Sequence, residues 1–258
     1  MNDYIKDGLI YCGKCHTPKQ VKVQFMGETK TPMCLCKCGK EERELEEREY
    51  QLIEQARRIR ILKDIGFPDK EMMRWTFDKD DQKNQKISTV ARHYVENFDE
   101  MRKYGKGLLF YGQVGTGKTF ISACIANALM DKGYPCMVTN FARLTNKLQG
   151  MFEGTQEYID SLNRFNLLVI DDLASERDTE YMGEIIHNII DARYRNKKPL
   201  IVTTNLTSEE LKHPADVRKQ RIYSRLFEMC IPIEVKGNDR RKEALIKDYK
   251  KMEDILGL

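Results

Sequence analysis

The feature that most constrains the fold is the glycine-rich segment at residues 112–119, Gly-Gln-Val-Gly-Thr-Gly-Lys-Thr. An apolar run at 107–111 precedes it and predicts a buried strand, and an apolar-periodic segment at 117–132 predicts a helix. Glycines at such a strand-to-helix turn let successive backbone N–H groups converge on a phosphate. We therefore predict a P-loop, in which Lys118 contacts the β- and γ-phosphates of ATP and Thr119 binds Mg²⁺. The predicted nucleotide ligands are Gly112, Gln113, Val114, Gly115, Thr116, Gly117, Lys118 and Thr119.

Polar side chains end two later strands of the sequence. The apolar strand predicted at 167–170 runs into Asp171 and Asp172, and the strand predicted at 200–204 runs into Asn205. Beside a P-loop, we predict that Asp171 holds Mg²⁺ through water and that Asp172 orients or deprotonates the attacking water. Asn205 is predicted to point towards the γ-phosphate. Without the P-loop, turn formation would explain these Asp and Asn residues equally well.

Strand and helix patterns alternate through the last 150 residues or so of the chain. Apolar strands alternating with helices indicate a parallel sheet covered on both faces, and hence an α/β fold. The predicted strands are 107–111, 136–139, 167–170, 200–204 and 231–235. The predicted helices of this region are 117–132, 178–197, 217–229 and 238–255.

Five of the eight cysteines lie within residues 12–38, in a segment with few large apolar residues. Cys12 and Cys15 have the spacing of a zinc knuckle, and a second group of cysteines follows 18 residues later, as in a zinc ribbon. We predict a Zn²⁺ site formed by Cys12, Cys15, Cys36 and Cys38. Cys34 remains an alternative to either of the last two, because spacing alone does not separate them. Replacement of a cysteine by His16 is disfavoured because adjacent ligands would strain the site.

A charged segment at 40–64 follows the cysteines and predicts one helix, acidic early and basic late, that ends at 66–68. A further helix is predicted at 86–103. The predicted domains are a zinc-ribbon-like module at 1–39, a partner-binding linker helix at 40–66 and an ATPase domain at 67–258.

Charge and hydropathy limit the possible partners and location. The net charge of +4 is mild, so contact with nucleic acid is permitted but must be argued from local features. There is no run of about 18 apolar residues that would span a membrane. The first residues also lack the basic-then-apolar layout of a signal peptide, and we therefore predict a cytoplasmic protein without membrane contact.

Taken together, these motifs resemble the AAA+ ATPases of the DnaC/DnaI helicase-loader group, whose close relative is the transposition ATPase IstB. The resemblance covers about residues 70–250. The segments that carry it are 75–77, 106–119, 167–177, 190–194, 199–206, 221–226 and 237–241.

The resemblance implies an AAA+ P-loop NTPase with a five-stranded parallel sheet and several further roles. Asn205 would be the sensor 1 residue, Arg241 the second sensor arginine, and Arg225 the arginine finger that acts on a neighbouring subunit's ATP, with Arg221 as the alternative finger. The protein would then self-associate through its ATP interface. Arg143 and Lys147 would lie near single-stranded DNA, although an ordinary amphipathic helix with solvated basic residues explains them almost as well.

The function that this resemblance implies is ATP-dependent loading of a DnaB-type replicative helicase onto single-stranded DNA. Residues 1–65 would hold the helicase, and slow hydrolysis at Asp171 and Asp172 would release the loader. One alternative is an IstB-like regulator of DNA transposition. Another is a zinc-ribbon adaptor whose ATP site acts as a switch with negligible turnover.

Overall fold

The computed structural model describes residues 2–149, 151, 153–173, 180–214 and 216–256. By compactness the chain divides into two units, residues 1–58 and 59–258. The division falls inside the charged helix, and our three-part domain assignment stays a prediction. Residues 174–177, which carry part of the resemblance after the acidic pair, lie outside the described residues.

The first unit is built on two short antiparallel hairpins. They pair β1 (Tyr4–Lys6) with β2 (Leu9–Tyr11) and β3 (Val23–Phe25) with β4 (Glu28–Lys30). Each hairpin closes through a two-residue turn, Asp7-Gly8 or Met26-Gly27, in which both residues have positive φ. Turns of this kind match the right-handed twist of the flanking strands.

The charged segment forms one long helix, as predicted. The helix α1 (Lys37–Gly66) begins three residues earlier than the pattern indicated. Its apolar side chains at Leu45, Tyr50, Leu52 and Ile53 are exposed. The early part of the helix therefore presents apolar side chains to solvent among its charges.

The second unit contains a parallel sheet of five strands in its described part, in agreement with the predicted α/β fold. Its strands are β5 (Gly107–Tyr111), β6 (Cys136–Asn140), β7 (Leu167–Leu173), β8 (Leu200–Thr204) and β9 (Cys230–Glu234), in the order β6-β7-β8-β5-β9. The described helices are α2 (Gln85–Glu96), α3 (Phe98–Lys103), α4 (Lys118–Asp131), α5 (Phe141–Gln149), α6 (Thr155–Ser161), α7 (Glu180–Arg195), α8 (Ser208–Lys212), α9 (Val217–Met229) and α10 (Arg240–Leu256).

The core lies on both faces of this sheet, because successive strand residues point to opposite sides. Leu108 and Phe110 of β5 pack in one apolar cluster with α2 and α4, whereas Leu109 packs in another with α7 and α9. Burial on both faces accounts for the continuous apolar runs of the sequence. Parallel strands align their carboxyl ends, so β5, β7 and β8 deliver their last residues to one edge of the sheet.

The helix predicted at 86–103 is interrupted. The structure divides it at Asn97 into α2 and α3. The Asn97 side chain donates a hydrogen bond of 2.9 Å to the His93 carbonyl, and the Asn97 backbone N–H donates to the same oxygen. Asn97 thereby caps α2, and its neighbour Phe98 turns into the core.

Arg193 of α7 is a fully buried arginine with 0% exposure. Its guanidinium donates to the carbonyl oxygens of Leu162 (3.2 Å), Phe165 (2.8 Å) and Pro199. Burial lowers the Arg193 pKa to about 9. The side chain thus joins α7 to the segments that enter β7 and β8.

Arg193→Ala is expected to lower the free energy of unfolding by about 3 kcal/mol, because several buried carbonyls lose their donor. Urea denaturation of the full chain measures this change. Arg195→Ala in the same helix is the matched control. The exposed Arg195 side chain forms an ion pair with Asp191, and a surface ion pair should contribute under about 1 kcal/mol to the free energy of unfolding. Equal losses in both variants would contradict the assigned role.

Candidate functional site

The P-loop borders a cavity of about 380 Å³ at the carboxyl edge of the sheet. The loop connects β5 to α4, and Gly112, Gly115 and Gly117 all have positive φ, a conformation that glycine adopts without strain. Lys118 is only 6% exposed, and its ammonium donates to the Gly112 and Gln113 carbonyls at 2.8 and 2.7 Å. Burial lowers the pKa of Lys118, while the charges of Asp172 and Asp171 oppose that shift.

The acidic residues lie where β7 bulges against β8. Ile170 pairs with Val202 and Leu173 with Thr204, so Asp171 and Asp172 together stand opposite one residue, Thr203. A bulge of this kind re-aims side chains at a strand end. Asp172 has a φ of 61°, the left-handed conformation. Both carboxylates consequently line the cavity.

Hydrogen bonds tie the two acidic residues to their neighbours. The Thr203 hydroxyl donates to Asp171 Oδ1 at 2.6 Å and accepts from the Asp172 backbone N–H at 2.9 Å. The Asn205 amide donates to Asp172 Oδ1 at 2.8 Å. Burial raises the pKa of Asp171, and hydrogen bonds from Thr203 and Thr119 oppose that shift. The Thr119 hydroxyl and the Asp171 carboxylate therefore meet in the cavity that both residues line.

This arrangement fits a magnesium–triphosphate group. A hydroxyl next to a carboxylate supplies the oxygen ligands that Mg²⁺ prefers, and a buried lysine beside a glycine turn supplies positive charge for phosphate. Neighbouring side chains also crowd two of the glycines, because a Cβ at Gly115 would overlap the Asp239 carboxylate. A Cβ at Gly117 would lie 3.3 Å from the Arg240 guanidinium.

The cavity brings together most of the predicted nucleotide residues. Its predicted lining residues are Val114, Gly115, Thr116, Gly117, Lys118, Thr119, Asp171, Asp172, Asn205 and Arg241. Gly112 and Gln113 line an adjoining cavity of about 410 Å³, which also contacts Asn205. The Arg241 charge contributes to the lowered pKa of Lys118, in keeping with its position in the same cavity.

Sequence reasoning did not assign several of the residues that line the cavity. These are Trp75, Lys79, Asp81, Phe120 and Arg240. The Arg240 guanidinium pairs with Asp81 at 3.1 Å, and its backbone N–H donates to the Gly115 carbonyl at 2.9 Å. Arg240 thus joins the start of α10 to both the P-loop and the segment before α2. Arg240 lies within the 237–241 segment that carries the resemblance, but the sequence did not predict its contacts with Asp81 and Gly115.

Arg225 and Arg221 lie apart from the nucleotide residues of their own chain. The Arg225 guanidinium stacks over the Tyr194 ring at 4.2 Å. Arg221 lines a separate cleft with His187 and Arg218. Neither arginine is among the described residues that line the nucleotide cavity, and the arginine-finger assignment stays a prediction.

The two basic residues predicted near DNA make contacts within the chain. The Arg143 guanidinium donates to the Pro68 carbonyl at 3.1 Å. The Lys147 ammonium lies 4.8 Å from the centre of the Tyr158 ring. Contact with a DNA phosphate would compete with these interactions.

The first unit gathers four thiols into one cluster. The sulfur atoms of Cys12, Cys15, Cys36 and Cys38 all lie within 4.8 Å of one another. Four sulfurs at this separation fit tetrahedral zinc, in which Zn–S bonds are about 2.3 Å. The Cys34 thiol lies outside the cluster and contacts the Pro18 carbonyl at 3.7 Å.

Hydrogen bonds around the cluster favour thiolate at Cys15. Bonds from the Cys38 backbone and the Thr17 hydroxyl lower the pKa of Cys15 to about 5. Contacts with the other thiols raise the pKa of Cys38 to about 12. The cluster is thus consistent with a zinc ribbon, whose metal would relieve this crowding of sulfurs.

Across the described residues, no helix has the length and apolar character needed to cross a membrane.

The sheet order and the cavity define an ATP-binding domain of the AAA+ P-loop class. The chain belongs to the family described as IstB-like ATP binding protein, which matches residues 41–247. This membership confirms the resemblance predicted from the motifs.

Relatives of known role share this domain. The replicative helicase loader DnaI of Bacillus subtilis is 25% identical over 204 residues, 73% of this chain and 65% of that protein. The replicative helicase loader DnaC of Escherichia coli K12 is 33% identical over 125 residues, 47% of this chain and 50% of that protein. The matches therefore span between half and two thirds of these relatives. A crystal structure of the DnaC helicase loader superposes with a TM-score of 0.55 at 28% identity, over 65% of this chain and 100% of that one.

Proposed function

We propose that this protein is an ATP-dependent loader that delivers a DnaB-type replicative helicase to single-stranded DNA. The observation that carries the proposal is the meeting of Thr119 and Asp171 in a cavity with Lys118, in a chain whose curated relatives are named replicative helicase loaders. The thiol cluster adds a second module, which is suited to holding a protein partner.

The nucleotide residues have separate roles in this proposal. Lys118 binds the β- and γ-phosphates, and Thr119 with Asp171 would hold Mg²⁺, which would supply positive charge beside the transferred phosphoryl group. The Asn205 amide fixes the orientation of the Asp172 carboxylate through their 2.8 Å hydrogen bond. Asp172 can then orient the attacking water or accept its proton. Arg241 adds positive charge beside Lys118.

Arg225→Ala is expected to leave ATP binding by the monomer unchanged and to slow hydrolysis by at least about 100-fold, because a finger stabilises charge only in the transition state. Fluorescent-nucleotide titration and phosphate release, with and without single-stranded DNA, measure the two quantities. Arg221→Ala is the matched control from the same helix. Unchanged turnover in Arg225→Ala, or a larger loss in Arg221→Ala, would place the finger elsewhere.

The same measurement separates an enzyme from a nucleotide switch. A loader should hydrolyse ATP, slowly alone and faster with DNA or its helicase. A chain with negligible turnover under all these conditions would instead favour the adaptor hypothesis.

The hairpin β3–β4 presents one of the exposed apolar surfaces of the first unit. Phe25 is 53% exposed and Met26 91% exposed at its turn. Exposed apolar side chains at the tip of a small rigid hairpin can insert into a pocket of a protein partner. We infer that this tip contributes to helicase capture.

The double variant Phe25→Ser and Met26→Ser should weaken capture of the replicative helicase by at least about tenfold, as expected when central apolar contacts are removed. A pull-down with the full chain measures it. Tyr104→Ser, an exposed aromatic residue of the second unit, is the control. Undiminished capture by the double variant, with Tyr104→Ser also normal, would contradict the role of the hairpin.

The alternative is a regulator of DNA transposition, which the IstB name of the family favours. The ATP site of such a regulator would be nearly the same, so the identity of the protein partner distinguishes the two functions. Capture of a transposase in place of the helicase, or a transposase gene next to this one, would favour the alternative.

A further inference from the structure

Arg225 of α9 contacts an aromatic ring and two carboxylates of its own subunit. Its guanidinium lies 4.2 Å from the centre of the Tyr194 ring. Its Nε lies 3.7 Å from Asp191 Oδ1, and its Nη1 lies 3.7 Å from Glu228 Oε2. The three partners come from two packed helices, α7 and α9.

The partners of Arg225 are themselves tied in place. Asp191 uses its other oxygen to pair with Arg195. The Tyr194 hydroxyl is hydrogen-bonded to Glu228, and this bond raises the Tyr194 pKa. An aromatic ring and two carboxylates therefore fix both the plane and the direction of one guanidinium, which is 37% exposed.

We propose that Tyr194 and Asp191 are positioning residues that pre-order Arg225 for the nucleotide of a neighbouring copy of this chain. The inference rests on the proposed function, because it requires Arg225 to act between subunits. A free arginine side chain has considerable rotamer entropy, much of which is lost when it enters a site. Stacking on Tyr194 removes most of that entropy before the subunits meet.

The surroundings of Arg221 differ from this arrangement. Arg221 lines a cleft with the acidic Glu184 and the basic Arg218, and the described lining residues of that cleft include no tyrosine ring on which Arg221 could stack. The Arg225 guanidinium is instead partly exposed and stacks on the Tyr194 ring. This contrast favours Arg225 over Arg221 as the arginine that contacts the nucleotide of a neighbouring subunit.

Mixed oligomers test the proposal. A Lys118→Ala chain offers Arg225 but has a disabled nucleotide site, and an Arg225→Ala chain has an intact site but no finger. Each alone should hydrolyse ATP poorly, whereas their mixture with MgATP and single-stranded DNA should recover turnover. Tyr194→Leu added to the Lys118→Ala chain should reduce the recovered turnover by about tenfold, since stacking and ordering are both lost.

Tyr194→Leu added instead to the Arg225→Ala chain should cause no further loss, because that chain has no finger to position. Tyr194→Phe, which keeps the ring, should restore most of the turnover. Asp191→Asn is nearly isosteric and is therefore expected to fold normally. It should reduce the recovered turnover when the Lys118→Ala chain carries it and cause no further loss when the Arg225→Ala chain carries it.

The outcomes distinguish the positioning role of Tyr194 and Asp191 from the role of Arg225 as an arginine finger. Equal losses in both chains would mean a structural role for Tyr194 and would overturn the positioning role alone. A mixture that recovers no turnover would show that Arg225 does not act between subunits, and would overturn the finger assignment together with the positioning role.

Discussion

Lys118→Ala is expected to weaken ATP binding by about 100-fold or more, the largest single effect at the nucleotide site. The ammonium is buried beside the two carboxylates and already lies against the P-loop carbonyls. Charge-assisted hydrogen bonds to two phosphates contribute about 3 kcal/mol together, which corresponds to about two orders of magnitude in Kd. Alanine removes that charge where nothing else on the loop replaces it.

Titration with a fluorescent ATP analogue in the presence of Mg²⁺ measures the loss, and thermal unfolding checks that the variant is folded. Lys212→Ala, at the exposed end of α8, is the matched control and should bind ATP normally. A folded Lys118→Ala chain with unchanged affinity would remove the nucleotide from this cavity. The roles of Thr119, Asp171 and Arg225 would then lose their basis.

The P-loop made most of the fold predictable. Between a buried strand and a helix, glycines followed by a lysine are typical of a phosphate-binding loop. A loop of this kind predicts a parallel sheet whose strands end near the bound phosphates. The apolar runs at β5, β7 and β8 then located the central strands. The short helices α6 and α8 were not predicted, because they carry little periodicity.

The parts of the site that the sequence left open depend on contacts between distant residues. Thr203 orients both acidic residues, but only the bulge in β7 shows which hydroxyl stands opposite them. Arg240 meets Asp81 across nearly 160 positions of the chain, so no local pattern connects them. Such residues become visible only when the fold brings their segments together.

The cysteines show the same limit at short range. Cys34, Cys36 and Cys38 occupy every second position of one short segment. Their thiols are chemically the same and their distances along the chain from Cys12 and Cys15 are similar, so the sequence does not show which two bind the metal. The structure distinguishes them because α1 begins at Lys37 and turns Cys36 and Cys38 towards Cys12, while Cys34 stays against Pro18. The geometry of the thiols therefore favours Cys12, Cys15, Cys36 and Cys38 as the ligand set.

The first unit has little means of folding without a metal. Its large apolar side chains are mostly exposed, among them Ile5, Val23, Phe25, Met26 and Met33. Modules of this size usually need a metal or disulfides, and a structural zinc site contributes about 10–16 kcal/mol of binding free energy. Loss of one thiolate ligand should therefore unfold the unit rather than merely loosen it.

Cys36→Ser is accordingly expected to reduce bound zinc from about one ion per chain to nearly none, and to expose the backbone of β1–β4 to rapid hydrogen exchange. Cys34→Ser makes the same chemical change two residues away and should keep both the zinc and the exchange protection. Metal analysis of the purified chains and exchange mass spectrometry measure the two effects, with β5 as the internal reference. The ligand assignment is wrong if Cys34→Ser loses the zinc and Cys36→Ser retains it. If both variants and the unmodified chain contain no zinc, the cluster is held together by something other than a metal.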